Sequence, residues 1–183
     1  CRFAATVGYD GLEIAPFTLS EEPHLMTRGA SAAARQALAD AGIVCSSLHY
    51  LLLAPAGLSI TAADPAVRAR TLDVLKRLVD LAAELGAGVL VHGSPAQREL
   101  PDDEDAASAR ARGVDAFHEA GEAARAAGVV YCVEPLARTE TGFVNTVAEA
   151  AGIVEAAGNP ALRTMIDCSA AARTEGDVAA LVD

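Results

Sequence analysis

An α/β fold built from parallel strand–helix units is what this sequence predicts, on three observations. Short apolar runs begin near residues 11, 43, 88, 129 and 161, with helix-forming segments between them; regular alternation of that kind marks βαβ units. No run is followed by GxGxxG or a phosphate-binding loop, the glycine patterns that nucleotide-binding open sheets carry. Instead, four of the five runs end on a polar side chain: His49, His92, Glu134 and Asp167. Groups at several successive strand ends converge only if the strands curve around one axis, which favours a (β/α)8 TIM barrel over an open sheet. Eight units take about 250 residues, so the 183 residues here are expected to hold about strands 2–6. That is one domain over residues 1–183, a barrel apparently incomplete.

Composition agrees with a packed enzyme-like domain. Hydrophobic residues make up 52% and charged residues 21%, enough apolar material for a large core and too few charges for disorder. With aromatics at 4% and no Trp, Ala, Val and Leu must fill that core. A formal net charge of -11 argues against nucleic acid, whose phosphates want a basic surface. Cys1, Cys45, Cys132 and Cys168 show no CxxC and no close pair, and three fall in apolar runs. Small buried thiols are the ordinary reading there, so a reducing, cytoplasmic setting is expected. No apolar run reaches the ~18 residues of a membrane span, and no signal peptide is expected.

Taken in order, residues 2–7 read as the tail of a helix turned by Gly8 or Gly11, and 12–17 as a short strand containing Glu13. Residues 20–27 are polar and irregular. The alanine-rich segment 31–42 is a helix stopped by glycine, and 43–53 a strand containing His49. Asp64-Pro65 sets an N-cap ahead of proline at the first helical position. Val67, Val74, Leu75, Leu78, Leu81 and Leu85 then form a one-sided stripe on a helix that Gly86 ends. Strand 88–92 exits through Gly93-Ser94-Pro95. Residues 101–128 read as a long helix with acids at its start and Arg in its second half, matching the macrodipole. After strand 129–133 come a polar loop, then a helix over 146–157 with a capping box from Thr146 to Glu149. A turn at Gly158-Asn159-Pro160 leads to strand 161–166, and a last helix is expected from Thr174 to Asp183.

The chemistry concentrates beyond residue 133. Pro135 biases Glu134 to extended geometry, so this acid sits at the carboxyl end of a buried strand, with Arg138 and Glu140 within six residues. A charged strand end leading through a loop into a helix is where α/β proteins keep their active sites. Asp167 closes the apolar Met165-Ile166 in the same way. Two carboxylates on strand ends, with His49 and His92 nearby, form a donor set for a divalent cation: Mn²⁺, Mg²⁺, Co²⁺ or Zn²⁺. Such an ion polarises a carbonyl or hydroxyl oxygen while a carboxylate moves a proton. Blander roles compete with these. Glu134 and Asp167 can be salt-bridged loop acids, Arg138 and Glu140 a pair closed on each other, His49 and His92 pocket wall, and Glu13 an acid paired inside the barrel.

Glu134-Pro135-Leu136, Arg138, Glu140-Thr141 and Asn145-Thr146, followed by Met165-Ile166-Asp167, resemble the xylose-isomerase-like TIM-barrel superfamily of sugar (phosphate) isomerases and epimerases. The likeness is greatest to its ketose 3-epimerases, strongest over residues 129–170 and weaker at 8–14 and 42–45. The resemblance implies that Glu134 is a metal ligand acting in proton transfer at the carbon being epimerised. It implies that Asp167 is a second ligand and that Glu140 helps hold substrate hydroxyls. Arg138, His49 and His92 are then pocket residues that contact substrate. The family's histidine three positions after the aspartate is Ala170 here, so substrate recognition must differ. Its remaining ligands, a His and a Glu, come from strands seven and eight, beyond Asp183. Apurinic endonucleases of the same superfamily also place histidines on early strands, but the net charge and Ala170 argue against DNA cleavage. The expectation is therefore a cytoplasmic, metal-dependent isomerase or epimerase that moves a proton next to a carbonyl of a small sugar. A homo-oligomer without nucleic-acid or membrane partners is expected. The alternatives are a non-catalytic or metal-free barrel that binds carbohydrate, and a superfamily lyase or hydrolase acting on oxidised glycosides.

Overall fold

The computed structural model describes residues 1–100 and 106–182. Five strands, β1 (Gly11–Ile14), β2 (Val44–Leu48), β3 (Val89–His92), β4 (Val130–Val133) and β5 (Leu162–Thr164), form one sheet in chain order with every neighbouring pair parallel. Around them run α1 (Arg2–Thr6), α2 (Arg28–Ala39), α3 (Pro65–Leu85), α4 (Ala106–Ala127), α5 (Val147–Ala157) and α6 (Cys168–Thr174). A doubly wound sheet reverses its strand order at a switch point. This one never reverses, which is the order of consecutive strands in a (β/α)8 barrel.

The core is aliphatic, as the composition requires. On α3 the foreseen stripe is buried at Val74, Leu75, Leu78, Leu81 and Leu85, and each fully buried leucine contributes about 2 kcal/mol by leaving water. Opposite it, α4 presents Ala109, Gly113, Ala116, Ala120 and Ala124, small residues that let the helix approach β4 and β5. Cys45 and Cys132 are buried among these apolar side chains. The expected caps form. Asp64 Oδ1 accepts from Ala66 N at 2.8 Å, and Gly86 leaves α3 at φ 78°. Thr146 Oγ1 accepts from Glu149 N at 3.0 Å while Glu149 Oε2 accepts from Asn145 N at 2.8 Å.

Three expectations need correction. Helix α2 starts at Arg28, because Thr27 already caps it by accepting from Ala30 N. Strand β2 stops at Leu48 instead of residue 53, since the chain turns at Tyr50, which takes a positive φ of 55°. The terminal helix expected over 174–183 does not form across its described residues. Asp167 is the better cap, its Oδ1 accepting from both Ser169 N and Ala170 N, so the helix is α6 and Thr174 is its last residue. Among the described residues only a 3₁₀ turn, Ala179–Leu181, follows. The acidic start expected for the helix at 101–105 lies outside the described residues, as does Asp183.

The loop after β4 is held down by its own far end. Phe143 lies against Gly113 of α4, stacks near Phe117 at 6.0 Å between ring centroids, and carries Arg110 5.5 Å from its ring centre. Asn145 Nδ2 donates to the carbonyls of Leu136 and Thr141, both at 2.9 Å. A Cβ on Gly113 would strike the Phe143 ring. Intrinsic helix propensity alone says Gly113→Ala should stabilise α4 by nearly 1 kcal/mol; overpacking against Phe143 should reverse the sign and cost about 1–3 kcal/mol. The urea midpoint of the variant decides between them, and a rise would mean that Phe143 does not clamp this loop.

Candidate active site at the carboxyl ends of the strands

Glu134 continues the β3–β4 ladder one step beyond Val133, its amide donating to the His92 carbonyl at 3.3 Å. Its carboxylate thereby emerges at the carboxyl end of the sheet, where the residue is only 4% exposed. A carboxylate so enclosed is costly unless paired, and it is paired: Oε2 lies 3.0 Å from His49 Nε2. His49 is the first residue past β2 and turns its other nitrogen, Nδ1, to Glu13 Oε1 at 2.9 Å. Glu13 Oε2 in turn accepts from Ser47 Oγ at 2.6 Å. Both ring partners are carboxylate groups, and the imidazolium is the form of the ring that donates from both nitrogens at once. The hydrogen bond to Glu134 is the main cause that raises the His49 pKa; burial opposes it and Glu13 adds to it.

Two backbone features make this relay possible. The β1–β2 register slips between Leu12 and Glu13, so that Glu13 faces Ser47 while Leu12 faces Cys45. A bulge of this kind re-aims the side chain beside it, and here it turns Glu13 to Ser47 and His49. Behind the relay lies Gly93. A Cβ there would collide with Glu134 Oε2 and stand 3.0 Å from His49 Nε2. Tyr50, held at its positive φ, stacks on the His49 ring at 4.6 Å and remains 51% exposed.

His92, the last residue of β3, is fully buried. Its Nδ1 is 2.5 Å from the Tyr131 hydroxyl, and Phe117 meets the ring edge-on at 5.1 Å. Burial above all, with the positive charges of Arg98 and His49, pushes its pKa down to about 3, so the ring is neutral. Arg98 ends the 3₁₀ turn Pro95–Arg98 and is also fully buried. Glu140 does not pair with Arg138. Its Oε2 accepts from Ala137 N and from Arg173 Nη2, both at 3.1 Å, because α6 brings Arg173 back over the loop. Arg138 stands exposed beside it.

Asp167 follows β5 by three residues. Parallel pairing of Val133 with Thr164 puts it at the same end of the sheet as Glu134, on the neighbouring strand. Oδ1 caps α6, and Oδ2 carries no hydrogen bond among the described residues. Among those residues no three His, Cys, Asp or Glu side chains gather closely enough to hold an ion. Glu134 and Asp167 are both hard oxygen donors, the type that Mg²⁺ and Mn²⁺ take. Local sequence makes only a weak case for Glu13 and assigns no role to Tyr50, Gly93, Arg98 or Tyr131. Gly93, directly behind a strand-end histidine, was the one legible signal among these.

A family model described as a xylose isomerase-like TIM barrel matches residues 1–182. An L-ribulose 3-epimerase of Mesorhizobium japonicum is 34% identical over 104 residues, 55% of this chain and 34% of that protein. A D-psicose 3-epimerase superposes with a TM-score of 0.79 at 22% identity, over 96% of this chain and 59% of its own. A 3-keto-D-glucoside 4-epimerase from E. coli does so with 0.82 at 18%, over 99% and 66%. At those identities the structural likeness is one of fold, and the chain spans under two thirds of each of these relatives.

Gly93→Ala should part Glu134 from His49 without touching either residue. NMR titration should then show the His49 pKa falling toward 6.5, the unperturbed value for histidine; an unchanged value would mean the two are not in contact. His92 gives a stability signature of the opposite kind. Its folded pKa is depressed, so its neutral form costs nothing above pH 6.5, and stability is lost as pH falls toward about 3. The loss should reach about 3 kcal/mol by pH 4. In urea titrations His92→Gln should remove its part of that slope between about pH 5.5 and 4, below the range in which an unfolded histidine takes up its proton.

Proposed function

Since the chain belongs to the xylose isomerase-like TIM-barrel family, we propose that it serves as a sugar epimerase or isomerase that moves a proton next to a carbonyl group. The observation that supports this most is the Glu134 carboxylate, buried, ionically paired and set at the carboxyl end of the sheet. Barrel enzymes work at that end. In this reading Glu134 takes the proton from the carbon beside the carbonyl. The C–H electrons form the C=C bond of an enediolate, and charge passes to the former carbonyl oxygen. Return of a proton on the other face gives the epimer.

His49 holds Glu134 in one orientation, and Glu13 with Ser47 holds His49. Glu140 and Arg138 on the following loop are the groups for substrate hydroxyls. Glu134 and Asp167 are the residues that would hold a divalent cation, which when bound supplies Lewis-acid polarisation of the carbonyl. A small sugar as partner, a homo-oligomeric state and a cytoplasmic location belong to the same reading. No helix among the described residues is long and apolar enough to cross a membrane. One observation favours a second substrate class: Ala170, buried in α6, stands where the family motif has a histidine. Losing that side chain suits a larger substrate, such as a glycoside oxidised at one carbon.

The test is exchange of substrate hydrogen with deuterated water, using L-ribulose, D-psicose and a 3-keto-glucoside with Mn²⁺ supplied. Glu134→Gln should lower exchange by about 10³-fold, the scale of a lost general base, while circular dichroism shows the fold retained. Undiminished exchange in a folded Glu134→Gln protein would remove Glu134 from the chemistry.

A further inference from the structure

His92 and Arg98 sit on the exit from β3, and proton transfer by Glu134 leaves both unused. Two charged side chains are buried among the described residues, Glu134 and Arg98. Glu134 is paired with His49. Arg98 is paired with nothing: Nε, Nη1 and Nη2 are all buried without a hydrogen-bond partner among the described residues, and so is His92 Nε2. A guanidinium cannot escape this by shedding its proton at neutral pH, since burial lowers its pKa only to about 10. All five of its N–H groups donate and none accepts, so what is missing is an acceptor. For a buried cation the acceptor that offsets desolvation best is negatively charged.

Glu134, Glu140 and Glu149 act on Arg98 through space without bonding to it, which leaves the guanidinium without an acceptor among the described residues. His92 joins the same donor set. With Nδ1 against the Tyr131 hydroxyl, the tautomer in which Tyr131 donates puts the ring hydrogen on Nε2. The segment that carries Arg98 is also fixed in advance. Ile60 N donates to the Gln97 carbonyl at 2.9 Å, Thr61 Oγ1 to the Glu99 carbonyl at 2.5 Å, and Leu52 N to Ser94 Oγ at 3.2 Å. A rigid loop holding unmatched donors is how a binding subsite is pre-organised.

We infer that Arg98, with His92, forms an oxyanion subsite within electrostatic reach of Glu134 that takes a carboxylate or phosphate carried by the substrate. This rests on the sugar-epimerase reading and narrows its substrate to an acidic ketose. Carboxylate and phosphate share the paired oxygens that a guanidinium receives in bidentate fashion.

Wild type, Arg98→Met and Arg98→Lys are to be melted in sodium chloride, sodium phosphate and sodium acetate at equal ionic strength. One of the two oxyanions should raise the wild-type midpoint by about 5 °C at saturation, and which one does so identifies the source. Arg98→Met should lose that shift and, in chloride, melt no lower than wild type, because it removes an unpaired buried charge. Arg98→Lys should keep part of the shift. In turnover, Arg98→Met should raise KM for the matching acidic ketose about 30-fold, and at least about tenfold more than it raises KM for the neutral ketose. Anion responses equal in wild type and Arg98→Met would overturn the inference. A sharp fall of the Arg98→Met midpoint in chloride would do the same, since it would mean that a group of the protein already satisfies the guanidinium. An Arg98-dependent anion shift with no ketose turned over would instead sink the epimerase reading and leave the subsite standing.

Discussion

Burial of the Glu134 carboxylate is the constraint from which the site follows. So enclosed, it needs a cationic donor at hydrogen-bond distance, and His49 provides one only while its ring is doubly protonated. Holding that second proton requires an acceptor on the far side, which is Glu13. Glu13 lies on an edge strand and reaches inward only because β1 and β2 slip register beside it. Each requirement is met by a residue from a different strand. No pair of neighbours along the chain could build this arrangement.

Locally unfavourable features collect at the same end of the sheet. Tyr50 and Ser94 adopt positive φ without being glycine. His92 is kept neutral by burial, and Arg98 has no hydrogen-bond partner among the described residues. The opposite end shows the reverse: α3, α4 and α5 close on Gly86, Gly128 and Gly158, where positive φ suits the residue. Strain and unsatisfied polarity persist where the surrounding packing over-determines them, and such places are commonly functional. Here the packing comes from β3, β4 and the Phe143 clamp on α4.

The family to which the chain belongs gives these strand ends a common meaning without supplying every side chain. Glu134 and Asp167 keep their places on neighbouring strands, whereas Ala170 departs from the family motif. The buried carboxylate and the buried guanidinium sit on separate elements, Glu134 at the exit of β4 and Arg98 at the exit of β3.

Helix caps, strand ends and the order of parallel units were legible in the sequence because they are written in short windows. Asp64-Pro65, Thr146 with Glu149, and the polar residues closing four apolar runs all act within a turn of where they stand. Glu134 and Asp167 could be placed at strand ends for that reason, and the structure puts both at one end of the sheet. Other facts were out of reach. The bulge that turns Glu13 depends on pairing across some thirty residues of chain, the Arg173 partner of Glu140 depends on α6, and the isolation of Arg98 depends on everything packed around it. Local propensity carries no record of such distances. Burial and charge pairing are properties of the assembled fold, so the sequence determined which strands end in chemistry and the tertiary structure alone decided which of those groups meet.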